Sequence, residues 1–285
     1  MKLKKPKFWD KKKPNFLSYF LLPFTFPVII NNFFLKRKIK QPNHKIKKIC
    51  IGNIYVGGTA KTPLTVKIYE ILKNLKYRTA TLKKFYKDQI DEQKILKSKT
   101  IMYCEKNRYL ALNQAIRDNV DIIIFDDGLQ DRSISYDLSF VCFNNIKWIG
   151  NGHLIPAGPL REKIESLSKY DAVFLNGNVR DNSHIKSTIN KYNKDIKIFE
   201  CTYKPSNISQ FDTSAEYIIF SGIGNPESFK ETVINNRLKV IKEIIFPDHY
   251  QYTVNDINNI MLIAKKLKAQ ILTTEKDYTK INFDK

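Results

Sequence analysis

The chain has 285 residues, of which 42% are hydrophobic and 27% charged; this supports one large or two modest cored domains and excludes global disorder. Its four cysteines (Cys50, Cys104, Cys142, Cys201) lie far apart with no CxxC pair, which excludes a disulfide-framed module and a thiolate zinc site. The formal charge of +21 is unevenly placed: residues 1–48 carry 14 Lys or Arg against Asp10 alone, leaving a net +8 for the remaining 237 residues.

The basic charge flanks one uncharged stretch, Leu17 to Leu35, with Lys11, Lys12 and Lys13 before it and Lys36, Arg37, Lys38 and Lys40 after it. No small-residue cleavage site follows, so a signal peptide fits poorly. The stretch barely reaches the roughly 20 apolar residues a spanning helix needs, and it contains Pro23, Pro27, Asn31 and Asn32. An interfacial segment, seated in one leaflet and held by lysines against anionic headgroups, is the expectation for residues 1–40.

From Lys45 onward strand and helix signals alternate. Residues 46–52 predict a strand and 62–75 a helix with Leu64, Ile68, Ile71, Leu72 and Leu75 on one face. Strand 78–82, helix 107–118 and strand 121–127 follow; the last is apolar on both faces, as a parallel sheet requires. Strands are expected at 138–143, 171–177 and 196–203, then a polar linker at 204–216. A smaller unit reads as strand 217–222, helix 226–236, strand 240–246, helix 254–268 and strand 270–274. This order predicts α/β architecture with doubly wound parallel sheets, whose ligands sit at the carboxyl ends of strands.

The first strand ends in Gly52-Asn53 and leads through Gly57-Gly58-Thr59-Ala60-Lys61-Thr62-Pro63 into a helix. Backbone amides at a helix start favour anions, a lysine there reaches phosphates, and a hydroxyl can meet Mg²⁺. Tyr55 and Ala60 stand where the strict phosphate-loop pattern has glycine, and an alanine before the lysine calls for a negative φ. Asp126 and Asp127 close the most apolar strand, where a nucleotide-bound Mg²⁺ finds its acidic ligand. Thr62, Asp126 and Asp127 are therefore the candidate metal contacts, and Gly57 to Thr62 the candidate ATP-phosphate contacts.

GNIYVGGTAKTP (52–63), FDDGLQDR (125–132), GNGHLIPAGPLRE (150–162), SGIGNPESF (221–229), FPDHYQYT (246–253) and LTTEKD (272–277) resemble, in order, the successive motifs of the tetraacyldisaccharide 4'-kinase family. The resemblance implies ATP- and Mg²⁺-dependent phosphorylation of the 4'-hydroxyl of a tetraacyldisaccharide 1-phosphate in lipid A synthesis. It implies a monomer at the cytoplasmic face of a Gram-negative inner membrane, anchored by the apolar segment. The implied fold is a P-loop kinase domain (41–205) and a smaller α/β domain (206–285), with the active site in the cleft between them.

By position the resemblance makes Asp91 the acid that takes the sugar proton and His249 its partner, and it puts Gln130, Arg161 and Arg108 near substrate phosphate. With Asp91 on the kinase domain and His249 on the smaller one, the pair would form only on closure. Two other classes share some of these features. A membrane-bound ATPase switch would use the same loop without needing the PAGPLRE and FPDHY segments. A nucleic-acid binder is disfavoured because lysine outnumbers arginine 41 to 8 and the charge gathers around an apolar stretch.

Overall fold

In a computed structural model, residues 5–35, 46–131, 133–205 and 207–281 are described; Lys36, Arg37, Lys38 and Lys40 lie outside them. The chain divides into two compact units, Met1–Phe85 with Leu96–Thr202, and Tyr86–Ile95 with Tyr203–Lys285.

The first unit begins with α1 (Phe16–Phe20), a 3-10 turn (Leu22–Thr25) and α2 (Phe26–Leu35). Pro23 and Pro27 each sit in the first turn of their element, where a missing N–H costs nothing, and they cut the apolar stretch into short pieces. Among the described residues no helix is long and apolar enough to cross a membrane.

The body of this unit contains β1 (Lys47–Gly52), α3 (Lys61–Asn74), β2 (Thr79–Lys84), α4 (Ile90–Lys99), whose first six residues belong to the second unit, β3 (Met102–Glu105), α5 (Arg108–Arg117), β4 (Ile122–Asp126), β5 (Leu138–Asn144), β6 (Ala172–Asn176), α6 (Ser183–Tyr192) and β7 (Lys197–Cys201). The strands form one sheet in the order β3-β2-β4-β1-β5-β6-β7, and every pairing is parallel. Alternate residues supply two cores. Cys50, Ile123, Phe125, Val141, Phe143 and Val173 face one side with Ala111, Leu112 and Ile189. Ile49, Ile51, Ile124, Cys142 and Phe174 face the other with Leu64 and Tyr69 of α3. After β4 the chain crosses β1 to begin β5, so the order reverses at β1 and opens a crevice at its carboxyl end.

The second unit contains β8 (Glu216–Ser221), α7 (Pro226–Asn235), β9 (Lys239–Ile245), α8 (Val254–Leu267), β10 (Gln270–Thr273) and α9 (Glu275–Tyr278). Its parallel sheet runs β10-β8-β9 around a core of Tyr217, Ile219, Val233 and Leu238. The stretch expected as a linker is not merely a connection. It forms a 3-10 turn at Ile208–Gln210, and Ile208 and Phe211 pack on that core.

Candidate active site

In the first unit, β1 ends in a loop whose shape is set from within. Asn53, fully buried, donates from Nδ2 to Thr59 Oγ1 at 2.9 Å and to the Gly57 carbonyl at 3.3 Å. Asn176, at the end of β6, donates to the Thr59 carbonyl at 3.1 Å. Gly57 has φ +142°, a conformation open to glycine and strained for other residues. Ala60 has φ +65° and ψ +28°, so the negative φ expected for an alanine there is not adopted. A β-carbon is held in the left-handed region immediately before Lys61, a strain on the order of 1 kcal/mol of the kind that gathers at functional loops.

Lys61 and Thr62 open α3, which places the loop amides and the lysine at a helix N-terminus. Thr62 Oγ1 donates to Asp126 Oδ2 at 3.2 Å and Thr65 Oγ1 to Asp126 Oδ1 at 3.3 Å, joining the start of α3 to the end of β4. Lys83, 1% exposed, donates to Asp126 Oδ2 at 2.7 Å. Sequence reasoning passed over Lys83, which lies on a buried strand inside the sheet, where a buried charge demands a partner. Thr62 and Asp126 together offer hard oxygen donors, the set Mg²⁺ takes together with nucleotide phosphates and water. The residues present therefore fit the ion that the sequence implies. The Asp127 carboxylate turns instead to Arg161, whose Nη1 lies 3.1 Å from Asp127 Oδ1.

Arg161 Nη1 also donates to Gln130 Oε1 at 3.3 Å, and Gln130 Nε2 donates to the Asn53 carbonyl and to Glu162 Oε1. The loop, the Asp126-Asp127 strand end and the PAGPLRE segment thus converge. Arg108, expected near substrate phosphate, is buried, and its guanidinium closes the 127–131 turn, donating to Asp131 Oδ2 and to the Asp127 carbonyl, each at 2.6 Å. The Asp131 carboxyl is held below the usual carboxylate range: burial pushes it up, and hydrogen bonds from Ser133 and Arg108 outweigh that.

In the second unit, His249 Nδ1 lies 3.1 Å from Asp91 Oδ1 and 3.0 Å from Oδ2. The expectation that these two residues sit on different domains is corrected, because residues 86–95 belong with the second unit. The physical reason is a set of bonds internal to that unit. Lys276 and Lys280 each bring Nζ to 3.7 Å from Asp91 Oδ2, and Lys94 donates to the Thr279 carbonyl at 2.9 Å. Asp91 has no exposed side-chain surface, whereas His249 keeps 20%. Burial raises the Asp91 pKa, but the His249 hydrogen bond and the charges of Lys276 and Lys280 outweigh it, leaving the carboxyl below its ordinary value. An ionised carboxylate only accepts, so Nδ1 of His249 carries the proton and donates.

A parallel sheet whose first strand runs through a glycine loop into Lys61-Thr62, with an aspartate from the adjacent strand on that threonine, defines a nucleotide-binding protein of the P-loop type. The profile of one family, tetraacyldisaccharide-1-P 4'-kinase (LpxK), matches residues 16–285, and the chain belongs to that family. It is 51% identical over 282 residues to the tetraacyldisaccharide 4'-kinase of Pelagibacter ubique strain HTCC1062, spanning 99% of this chain and 89% of that one. It is 34% identical over 298 residues to the enzyme of the same name from Rickettsia bellii strain OSU 85-389, spanning 99% and 90%. Among solved structures, LpxK from Aquifex aeolicus in complex with ATP shares the fold, with a TM-score of 0.65 at 24% identity over 94% of this chain and 91% of that one.

Proposed function

We propose that this chain transfers the γ-phosphoryl group of ATP to the 4'-hydroxyl of a tetraacyldisaccharide 1-phosphate, a step of lipid A synthesis. The observation that carries the reading is the joining of Thr62 to Asp126 at the mouth of the glycine loop, in a chain of this family. Loop amides from Gly57 to Thr62 and the Lys61 ammonium bind and orient the triphosphate, and transfer depends mostly on such positioning and charge. Mg²⁺, which Thr62 and Asp126 would hold with Asp127 nearby, neutralises phosphoryl charge when bound. Arg161 and Gln130 meet phosphate beside the loop. The Asp91–His249 pair accepts the proton of the sugar hydroxyl: Asp91 supplies a fixed negative charge, and His249 is the member with exposed surface.

The acceptor is a lipid, and Phe16, Phe20, Phe24, Phe26, Ile30 and Phe33 all expose apolar surface on the N-terminal segment. Lys11, Lys12 and Lys13, also exposed, stand beside them. This supports seating in the headgroup region of a membrane; by our reading a single copy of the chain does so at the cytoplasmic leaflet of the inner membrane. Incubation with ATP labelled on its γ-phosphate and the disaccharide 1-phosphate lipid, followed by chromatography, tests the function. Label on the lipid is the expected result. Steady release of labelled phosphate with none on lipid would replace the kinase by an ATPase.

A further inference from the structure

The N-terminal segment is built into the nucleotide loop as well as carrying the apolar surface. Tyr55, 1% exposed, lies in the loop between β1 and α3. Its hydroxyl donates to the Asp10 carboxylate, and the Lys5 ammonium donates both to that carboxylate and to the Tyr55 oxygen. Lys5 Nζ also stands 4.1 Å above the Tyr55 ring centroid, a cation–π distance. Lys147 Nζ approaches Asp10 Oδ2 at 3.8 Å from the other side. Two lysines thus face one carboxylate, and Asp10 titrates below its ordinary value: burial raises its pKa, and bonds from Lys5 and Tyr55 outweigh that.

Other contacts fix the segment in place around this cluster. Trp9 Nε1 donates to the Pro156 carbonyl at 3.0 Å, and the Asn151 amide donates to the Trp9 carbonyl at 3.0 Å. Gly150 leaves room for that carbonyl, since a β-carbon there would stand 2.1 Å from it. Val28 of α2 packs on Tyr55, Leu154 and Leu160, and Asn32 Nδ2 donates to the Arg161 carbonyl at 3.0 Å. The same PAGPLRE stretch pairs with the loop backbone through Val56 N to Pro159 O and Arg161 N to Ile54 O.

The loop's glycine sits directly on this assembly. A β-carbon on Gly57 would lie 3.2 Å from the Tyr55 ring and 3.7 Å from Lys5 Nζ. Gly57 is thus held by Asn53 through its carbonyl, and the Tyr55 ring takes up the space where a side chain at 57 would begin. We propose that Asp10 and Lys5 are positioning residues for the nucleotide loop, acting through the Tyr55 hydroxyl on Gly57. The idea rests on the reading of residues 57–62 as the ATP-phosphate loop. It gives the N-terminal segment a second task, holding that loop in the shape that receives phosphate, separate from contact with lipid.

The test uses the full chain in detergent with Tyr55→Phe, Asp10→Asn, the double variant and Asp10→Glu. KM for ATP, kcat, melting temperature and association with vesicles of neutral and anionic phospholipid are measured for each. Each single variant is expected to raise KM for ATP roughly fivefold, the effect of one net hydrogen bond, with little change in kcat or vesicle association. The double variant is expected to lose no more than either single one, and Asp10→Glu to restore most of the affinity. A lower melting temperature with unchanged KM for ATP would mean the cluster only stabilises the fold and would overturn the proposal. So would strictly additive losses, or weakened vesicle association with normal KM. Lys61→Ala separates the two levels: retained ATP binding in that variant removes the loop reading itself, whereas lost binding beside a normal Tyr55→Phe removes only the positioning role of Asp10 and Lys5.

Discussion

His249 and Asp91, 158 residues apart, meet through Nδ1 and both carboxylate oxygens within a single compact unit. The pair is therefore assembled without any rearrangement of the two units, and Lys276 and Lys280 fix its charge state. If the pair acts as one proton acceptor, Asp91→Ala and His249→Ala should each lower kcat by roughly 10²- to 10⁴-fold, leave the affinity for ATP near normal, and be no worse combined. Steady-state kinetics on the two single variants and the double variant check this. Multiplying losses would mean that the two residues act in separate steps.

Stability should depend on pH at both ends through this cluster. The folded Asp91 pKa is depressed, so its contribution is complete above the ordinary aspartate value and is lost as pH falls through the folded one. The Lys276 pKa is raised, because Glu92, Asp248 and Asp91 outweigh burial; its contribution is complete below the ordinary lysine value and is lost as pH rises through the folded one. Asp91→Asn should flatten the acid limb of a denaturation-versus-pH curve, and Lys276→Met the alkaline limb. An acid limb unchanged in Asp91→Asn would contradict the assignment.

Ala60 at φ +65° makes a simple thermodynamic prediction. Glycine adopts that region freely, and its greater flexibility when unfolded offsets part of the gain. Ala60→Gly should raise stability by about 0.5–1 kcal/mol and keep ATP binding. Chemical denaturation and ATP titration together check it; a destabilised variant would mean that the alanine methyl makes contacts worth more than the strain.

Lys83 and Asp126 are both almost fully buried, and each is the other's charge partner. Lys83→Met leaves the carboxylate without that partner and should destabilise the chain by about 3–5 kcal/mol. Restoring most of the loss with Asp126→Asn in the same chain would confirm that the penalty is the stranded charge. Thermal melts of the single and double variants decide it.

Membrane seating is best probed at the exposed aromatics. Phe20→Ser, Phe24→Ser and Phe33→Ser together should weaken vesicle association by well over tenfold, since each buried aromatic contributes on the order of 1.5–3 kcal/mol, while KM for ATP stays near normal. Co-sedimentation with liposomes reads the first quantity. Unchanged association would mean that another surface meets the lipid.

The strands were legible because parallel sheets buried on both faces spell themselves out as apolar runs, as at residues 121–127 and 217–222. Helix α4 was missed because IDEQKILKSK has no clear apolar face, and β3 because four half-buried residues carry little signal. Asp91 was reached through the resemblance, but no local pattern places residues 86–95 in the second unit. That follows from partners about 155–190 positions away, in the FPDHY and LTTEKD segments and at Lys280 just beyond the latter. Arg108 was placed near phosphate through the resemblance alone; its contacts with Asp131 and the Asp127 carbonyl become visible only when the turn folds back.

The placement of residues 86–95 also bears on how this gene can be cut and recombined. A fragment beginning at Tyr203 would carry His249, Lys276 and Lys280 without Asp91, the carboxylate that all three approach. A chimera that exchanges the carboxyl-terminal part between relatives therefore has to exchange ten residues from the middle of the other unit as well. The crossover map of this protein follows its contacts rather than its linear order.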